Sequence, residues 1–240
     1  AYREQVPHYP LVETLDETEN RGAIYQSFVI GRVRFIMTDS RFYQDSVEIE
    51  DNIDKTLLGN NQREWLFEQL KKGKENQQDN REGLTIWVNS IPWIGRPDDY
   101  KTKAWNRFSQ EREKIANFIK ENEIDRLLML SGDAHMLALD DGQEDTNNNY
   151  ATGGGGSFPV IHAAALDSRP SFKGGSYNGK NSIVNPAAIK SNDGAIKGKG
   201  QWGLLNFSDD GSKIEVKVEL KRMKDTLIQH TFIFDRSRNS

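Results

Sequence analysis

Apolar and polar positions along this chain follow three rhythms, and each predicts a different kind of element. Between Gly22 and Asp39 the period is two. Ile24, Gln26, Phe28 and Ile30 alternate with Tyr25, Ser27 and Val29, and Val33, Phe35 and Met37 alternate with Arg34, Ile36 and Thr38. Both faces are fairly apolar, as in strands covered on two sides. Gly31-Arg32 between them predicts a tight antiparallel hairpin. Leu84–Val88 and Arg126–Leu130 are short, nearly continuous apolar runs, the pattern of central strands. Met136–Asp140 and Phe158–Leu166 read as further strands. Near the end, Ile214, Val216, Val218 and Leu220 alternate strictly with Lys213, Glu215, Lys217, Glu219 and Lys221, so one face meets water. Leu204–Phe207 leads into the Asp210-Gly211 turn signal, and Thr226–Phe234 returns antiparallel. A C-terminal antiparallel meander is expected.

Helical spacing appears twice. Asn61 with Glu64 marks a start, Trp65, Leu66 and Leu70 mark a buried stripe, and Lys71-Lys72-Gly73 predicts the stop. Residues 73–83 then read as a polar surface loop, and 45–58 as an acidic one. Ser109 predicts the cap of a second helix running to about Glu121. Glu111 and Glu113 lie in its first turn, and Ile115, Phe118 and Ile119 on its inner face. The order strand, helix, strand implies a right-handed crossover. Leu84–Val88 and Arg126–Leu130 should therefore be parallel neighbours ending at one edge of the sheet.

That edge is where chemistry is expected, because open α/β sheets bind ligands beyond the carboxyl ends of their strands. The run at Arg126–Leu130 stops at Ser131-Gly132, and Asp133-Ala134-His135 follows. A carboxylate oxygen with an imidazole nitrogen suits a divalent or trivalent cation. An isolated Asp-x-His is more often a solvated turn, so both readings stand on the residues alone. Asn89 ends the neighbouring strand at the same edge, as a metal or phosphate contact or, more simply, a strand-end cap. His162, flanked by Ala163–Ala165, reads as a core residue or a support behind ligands. His230 reads as a packing residue, and Gly153–Gly156 as a turn without the P-loop pattern.

Composition narrows the classes. The chain has 240 residues with 35% hydrophobic residues, including 5 Trp and 11 Phe to build a core. A net charge of -4 gives no bulk attraction for nucleic acid. There is no apolar run near the ~18 residues of a membrane span. Cysteine is absent, which excludes disulfides and thiolate metal sites. Ala1–Arg21 reads as an extended lead-in, and 167–200, rich in Gly, Asn, Ser and Lys, as a long loop.

Five blocks in order then carry a resemblance: Ile24-Tyr25-Gln26-Ser27-Phe28; Asp39-Ser40-Arg41-Phe42-Tyr43; Leu58-Gly59-Asn60-Asn61-Gln62-Arg63-Glu64-Trp65-Leu66; Trp105-Asn106-Arg107-Phe108 with Glu111-Arg112; and Leu130-Ser131-Gly132-Asp133-Ala134-His135. The chain resembles the C-terminal portion of the PhoD-like alkaline phosphatase and phosphodiesterase family, a branch of the calcineurin-like metallophosphoesterases. The resemblance implies half of an α-β-β-α sandwich: a mixed sheet plus the antiparallel meander, with residues 1–240 forming one part of a metallophosphatase domain. It implies hydrolysis of phosphate monoesters or diesters by two metal ions, calcium and iron or other divalent metals. Asp133 and His135 would give one ligand to each metal. Asn89 is a further candidate ligand, and Arg41 a candidate phosphate contact whose plainer reading is an ion pair with Asp39 or another carboxylate. Trp105, Glu111 and Arg112 read as architectural, with an ion pair locking the aromatic loop. Lys173, Lys180, Lys197 and Lys199 could attract an anionic substrate or simply be solvated.

The family's N-terminal metal motifs are missing from the sequence, and Tyr2–Pro7 resembles the stretch that follows them. The implied partner is the N-terminal half of the same enzyme, and the chain alone is expected to be inactive. Apolar surface near Val29 and Val33 is expected to be exposed. The alternative is a non-catalytic binding module or an inactive fragment. The compartment stays undetermined, although family members are often exported to the periplasm or cell surface.

Overall fold

A computed structural model describes residues 5–11, 23–95, 104–143, 148–163, 165–167, 177, 182–184 and 200–236. Lys173, Lys180, Lys197 and Lys199, with most of the 1–21 lead-in and the 167–200 loop, lie outside the described residues. Among the described residues the main sheet has seven strands. They are β1 (Gln26–Ile30), β2 (Val33–Met37), β3 (Leu84–Asn89), β4 (Leu127–Ser131), β5 (Leu137–Asp140), β6 (Val160–Ala163) and β7 (Ser182–Val184). Their spatial order is β1-β2-β3-β4-β6-β5-β7. β1 and β2 form the expected antiparallel hairpin, with Ile30 opposite Val33. β2, β3, β4 and β6 run parallel. β5 is antiparallel to β6 and β7. β7 corrects the expectation of uninterrupted loop between 167 and 200. A second, antiparallel sheet of β8 (Gln201–Asp209), β9 (Lys213–Arg222) and β10 (Asp225–Asp235) is the meander.

The period of two decides which face each side chain covers. In β4, Leu127 and Met129 join a core with Leu66 and Leu70 from helix α1 (Asn60–Gln78), and with Ile115 and Ile119 from helix α2 (Ser109–Glu121). Leu128 points the other way, into a core with Val216, Val218 and Phe232 of the second sheet. The described residues thus stack as helices, mixed sheet and antiparallel sheet. Fully burying one such side chain contributes roughly 1.5–3 kcal/mol, which makes the two faces of β4 a principal anchor. β9 buries Ile214, Val216, Val218 and Leu220 on this seam, with its Lys and Glu residues on the opposite side. On the outer strand β1, Val29 and Ile30 are exposed at 42% and 57%, whereas Val33 is covered within the inter-sheet core.

Helix α1 does not stop at Gly73. It runs on to Gln78 because it lies against β3 so closely that a Cβ at Gly73 would sit 2.5 Å from Thr85 Oγ1. The polar residues beyond are buried and bonded rather than solvated. Asn76 Nδ2 donates to Glu82 Oε1 (2.7 Å), and Gln77 Nε2 donates to Thr85 Oγ1 (3.1 Å) and to the Arg126 carbonyl (3.2 Å). The caps differ too. α1 starts at Asn60 after Gly59, with no side-chain cap bond. At α2, Ser109 is itself helical, and both its N–H (2.7 Å) and its hydroxyl (2.5 Å) donate to Asp51 Oδ2. A carboxylate from a distant loop serves the end that Ser109 was expected to cap.

Candidate functional site

The parallel register brings the carboxyl ends of β3, β4 and β6 side by side. Asn89 is level with Ser131, and Ser131 with His162. Two hydrogen bonds tie the first two ends together, since the Ile91 carbonyl accepts from Asn89 Nδ2 (2.7 Å) and from Ser131 Oγ (2.8 Å). Asn89 is fully buried, and its Oδ1 has no hydrogen-bond partner. An unpaired buried acceptor costs about 1–3 kcal/mol, so it requires an explanation.

Beyond Ser131 the backbone turns sharply. Asp133 has φ 68° and His135 φ 54°, both in the left-handed region that residues with a Cβ rarely occupy. The Ala134 N–H donates back to the Gly132 carbonyl at 2.9 Å, closing a three-residue turn around Asp133. The positive-φ form of this turn is rare and strained. The same N–H lies 3.1 Å from His162 Nε2, which accepts it. Ala134 is buried, while Asp133 and His135 on either side are half-exposed. The turn holds its alanine inward and leaves both candidate ligands accessible. His162 is fully buried, and that burial, with the nearby His135 ring second, lowers its pKa to about 3. Burial and a backbone N–H donated to Nε2 both favour its neutral form.

The family of PhoD-like phosphatases matches residues 1–194. The chain belongs to that family. Alkaline phosphatase D of Bacillus subtilis (strain 168) is 26% identical over 147 residues, which is 56% of this chain and 25% of that protein. A solved structure of PhoD superposes with a TM-score of 0.53 at 14% identity, covering 88% of this chain and 42% of the other. The second likeness speaks for the fold. The chain spans a quarter of its curated relative's length and less than half of the solved one.

Within this PhoD-like chain, the residues expected to gather do so unevenly. Asp133, His135 and Asn89 share the edge. Among the described residues no group of three or more His, Cys, Asp or Glu side chains is placed to hold a metal ion. Arg41 follows β2 and is exposed. Its guanidinium donates to Gln44 Oε1 at 3.4 Å, not to Asp39. Asp39 is committed elsewhere: Oδ1 accepts the N–H groups of Arg41 (3.0 Å) and Phe42 (3.1 Å), and Oδ2 that of Ile24 (3.2 Å). A contact the sequence did not suggest links the segments that follow β2 and β3, where the Ser40 and Ser90 hydroxyls lie 2.5 Å apart.

Trp105 is architectural as expected, packed edge-on against Trp93 (5.1 Å) and Trp87 (6.2 Å). The ion pair around it is not the expected one. Glu111 is buried and takes Arg63 (3.2 Å), the N–H groups of Leu57 (2.6 Å) and Leu58 (3.3 Å), and the Thr56 hydroxyl (2.7 Å). Arg112 donates instead to the carbonyls of Trp93 (2.8 Å) and Gly95 (3.1 Å) beneath the Tyr150 ring. Burial lowers the Arg112 pKa. These residues brace the segment after β3 and so hold the edge that carries Asn89.

Proposed function

We propose that this chain contributes part of a metal-dependent centre that hydrolyses phosphate monoesters or diesters. Residues 1–240 form one portion of a metallophosphatase domain of the α-β-β-α type. The carrying observation is the strained Asp133-Ala134-His135 turn at the carboxyl end of β4, beside the unpartnered buried Oδ1 of Asn89. Strain persists where surrounding structure over-determines it, and such places cluster at functional sites. A hard acceptor without a partner fits a cation, as do a half-exposed carboxylate and imidazole. Asp133 and His135 would each serve one of two metals, calcium and iron or other divalent ions, with Asn89 as a third donor. Bound there, the ions would polarise the phosphoryl group and make a water nucleophilic. The chain's own residues hold the donors. The Ile91 carbonyl orients Asn89, and the turn presents Asp133 and His135 outward. Arg41 at the β2 end would meet a substrate phosphate oxygen.

Hard cations take about six donors each. Two side-chain ligands and one amide fall short, so the remaining donors are assigned to the N-terminal half of the same enzyme. The chain alone would then turn over no phosphate ester. The test assays p-nitrophenyl phosphate and bis-p-nitrophenyl phosphate with calcium, iron, manganese or zinc. It uses the isolated chain and a mixture with the segment that precedes the matched region in its relatives. Activity is expected only in the mixture. His135→Ala should remove it by orders of magnitude with the melting temperature nearly unchanged. Turnover by the isolated chain that vanishes in Asp133→Ala would overturn the partial-site reading, and a fully active His135→Ala mixture would overturn the ligand assignment.

A further inference from the structure

We propose that His162 is a positioning residue, a neutral imidazole protonated on Nδ1 whose Nε2 holds the Asp133–His135 turn in its left-handed form. A neutral imidazole has one donor nitrogen and one acceptor nitrogen. Nε2 receives the Ala134 N–H at 3.1 Å, so the proton belongs on Nδ1. That Nδ1 is buried and has no hydrogen-bond partner, an arrangement that opposes folding. A leucine would fill the same enclosed space in β6 without an orphaned donor. What the imidazole adds is the acceptor.

The acceptor acts where the backbone needs it. The Ala134 N–H already bends back to Gly132 across Asp133, and the residues on both sides have positive φ. Relaxing Asp133 would swing that N–H away from both of its acceptors. His162 sits on β6, level with Ser131 on β4, so the clamp reaches across adjacent parallel strands and anchors the turn to the sheet itself. Ser131 Oγ, bonded to the Ile91 carbonyl, fixes the near end of the same turn, and His162 fixes its middle. Side chains behind metal ligands set ligand orientation in this way. That consequence rests on reading Asp133 and His135 as ligands, but the hydrogen bond and the tautomer do not.

The test therefore needs neither metal nor substrate. Proton–nitrogen correlation spectra of the 240-residue chain should report His162 as the Nδ1–H tautomer. The Ala134 amide should exchange slowly with solvent deuterium. In His162→Leu its exchange should quicken by about 3- to 10-fold, the worth of one net hydrogen bond. His162→Gln places an amide oxygen near the Nε2 position and should restore slow exchange. His162→Asn, whose shorter side chain reaches only as far as Nδ1, should not. An Nε2–H tautomer in the unsubstituted chain would overturn the proposal, even if His162→Leu failed to fold. So would Ala134 exchange that is the same in His162→Leu and in the original. Phosphatase assays that fail while these signatures hold would count against the site reading alone.

Discussion

At the amino ends of β2 and β3 the buried charges Arg34 and Glu82 match each other. Arg34 grips Glu82 through two bonds of 2.8 and 2.6 Å, reaches Ser27 and Gln69 with its remaining nitrogen, and Asn76 completes the carboxylate at 2.7 Å. At the carboxyl ends of the same sheet, Asn89 Oδ1 and His162 Nδ1 are buried without partners, and Asp133 and His135 have positive φ. Both ends belong to one set of parallel strands with one register. The contrast is therefore not between ordered and loose structure. One end pairs its buried polar groups, and the other leaves Asn89 Oδ1 and His162 Nδ1 unpaired beside a turn of positive φ.

The sharpest way to break this comparison is to disturb the satisfied end. Glu82→Ala leaves the Arg34 guanidinium nearly sealed, with side-chain exposure of 6%, and without its counter-charge. Removing one partner of a buried pair costs about 3–5 kcal/mol. The urea midpoint of the chain should fall accordingly. The double replacement Arg34→Met with Glu82→Leu should lose much less, because no buried charge remains. A loss below about 1 kcal/mol for Glu82→Ala would show that this end is not a principal support.

A smaller effect tests why α1 runs where it does. In a helix interior, Gly→Ala usually gains up to about 1 kcal/mol. At Gly73 the sign should reverse, because the new methyl would lie 2.5 Å from Thr85 Oγ1 and 3.5 Å from Arg34 Cδ. Thr85 is short, branched and bonded to Gln77, so it yields poorly. Overpacking of this kind costs about 1–3 kcal/mol. Thermal denaturation should show the loss in Gly73→Ala and its partial recovery when Thr85→Ala is added. A stabilised Gly73→Ala would mean that helix and strand are not held at this separation.

These two sites also show what the sequence could and could not disclose. β9 was legible because its period of two is written by water on one side and the second core on the other. β3 and β4 were legible as unbroken apolar runs, and Asp133 and His135 through their place just past such a run. The end of α1 was hidden because Asn76 and Gln77 look solvated until Glu82, Thr85 and Arg126 arrive from elsewhere in the fold. The α2 cap was hidden because Asp51 lies 58 positions before Ser109. The clamp on the turn was hidden because His162 meets a backbone N–H 28 positions away, and a backbone donor leaves no mark in composition. Local periodicity is set by solvent and core and can be read along the chain. Polar satisfaction is decided by partners that only the fold brings together.

The smallest expected effect bears on the unsatisfied end and has the opposite sign. Asp133→Gly removes a Cβ from a position at φ 68°. A left-handed conformation costs an ordinary residue about 1–2 kcal/mol, and less for Asp, which tolerates it better. Glycine also widens the unfolded ensemble, which offsets part of the gain by about 0.4–1 kcal/mol. The net should be a stabilisation of at most about 1 kcal/mol, read as a slightly raised urea midpoint. The carboxylate is lost in the same step, so under the proposed function the mixture of this chain with the proposed N-terminal half should lose phosphatase activity and metal content together. Greater stability with lost chemistry is the pattern expected if Asp133 is held in an unfavourable conformation for its function. If Asp133→Gly instead destabilised the chain by a few kcal/mol, Asp133 would be a structural residue. The contrast between the two ends of the sheet would then lose its functional meaning.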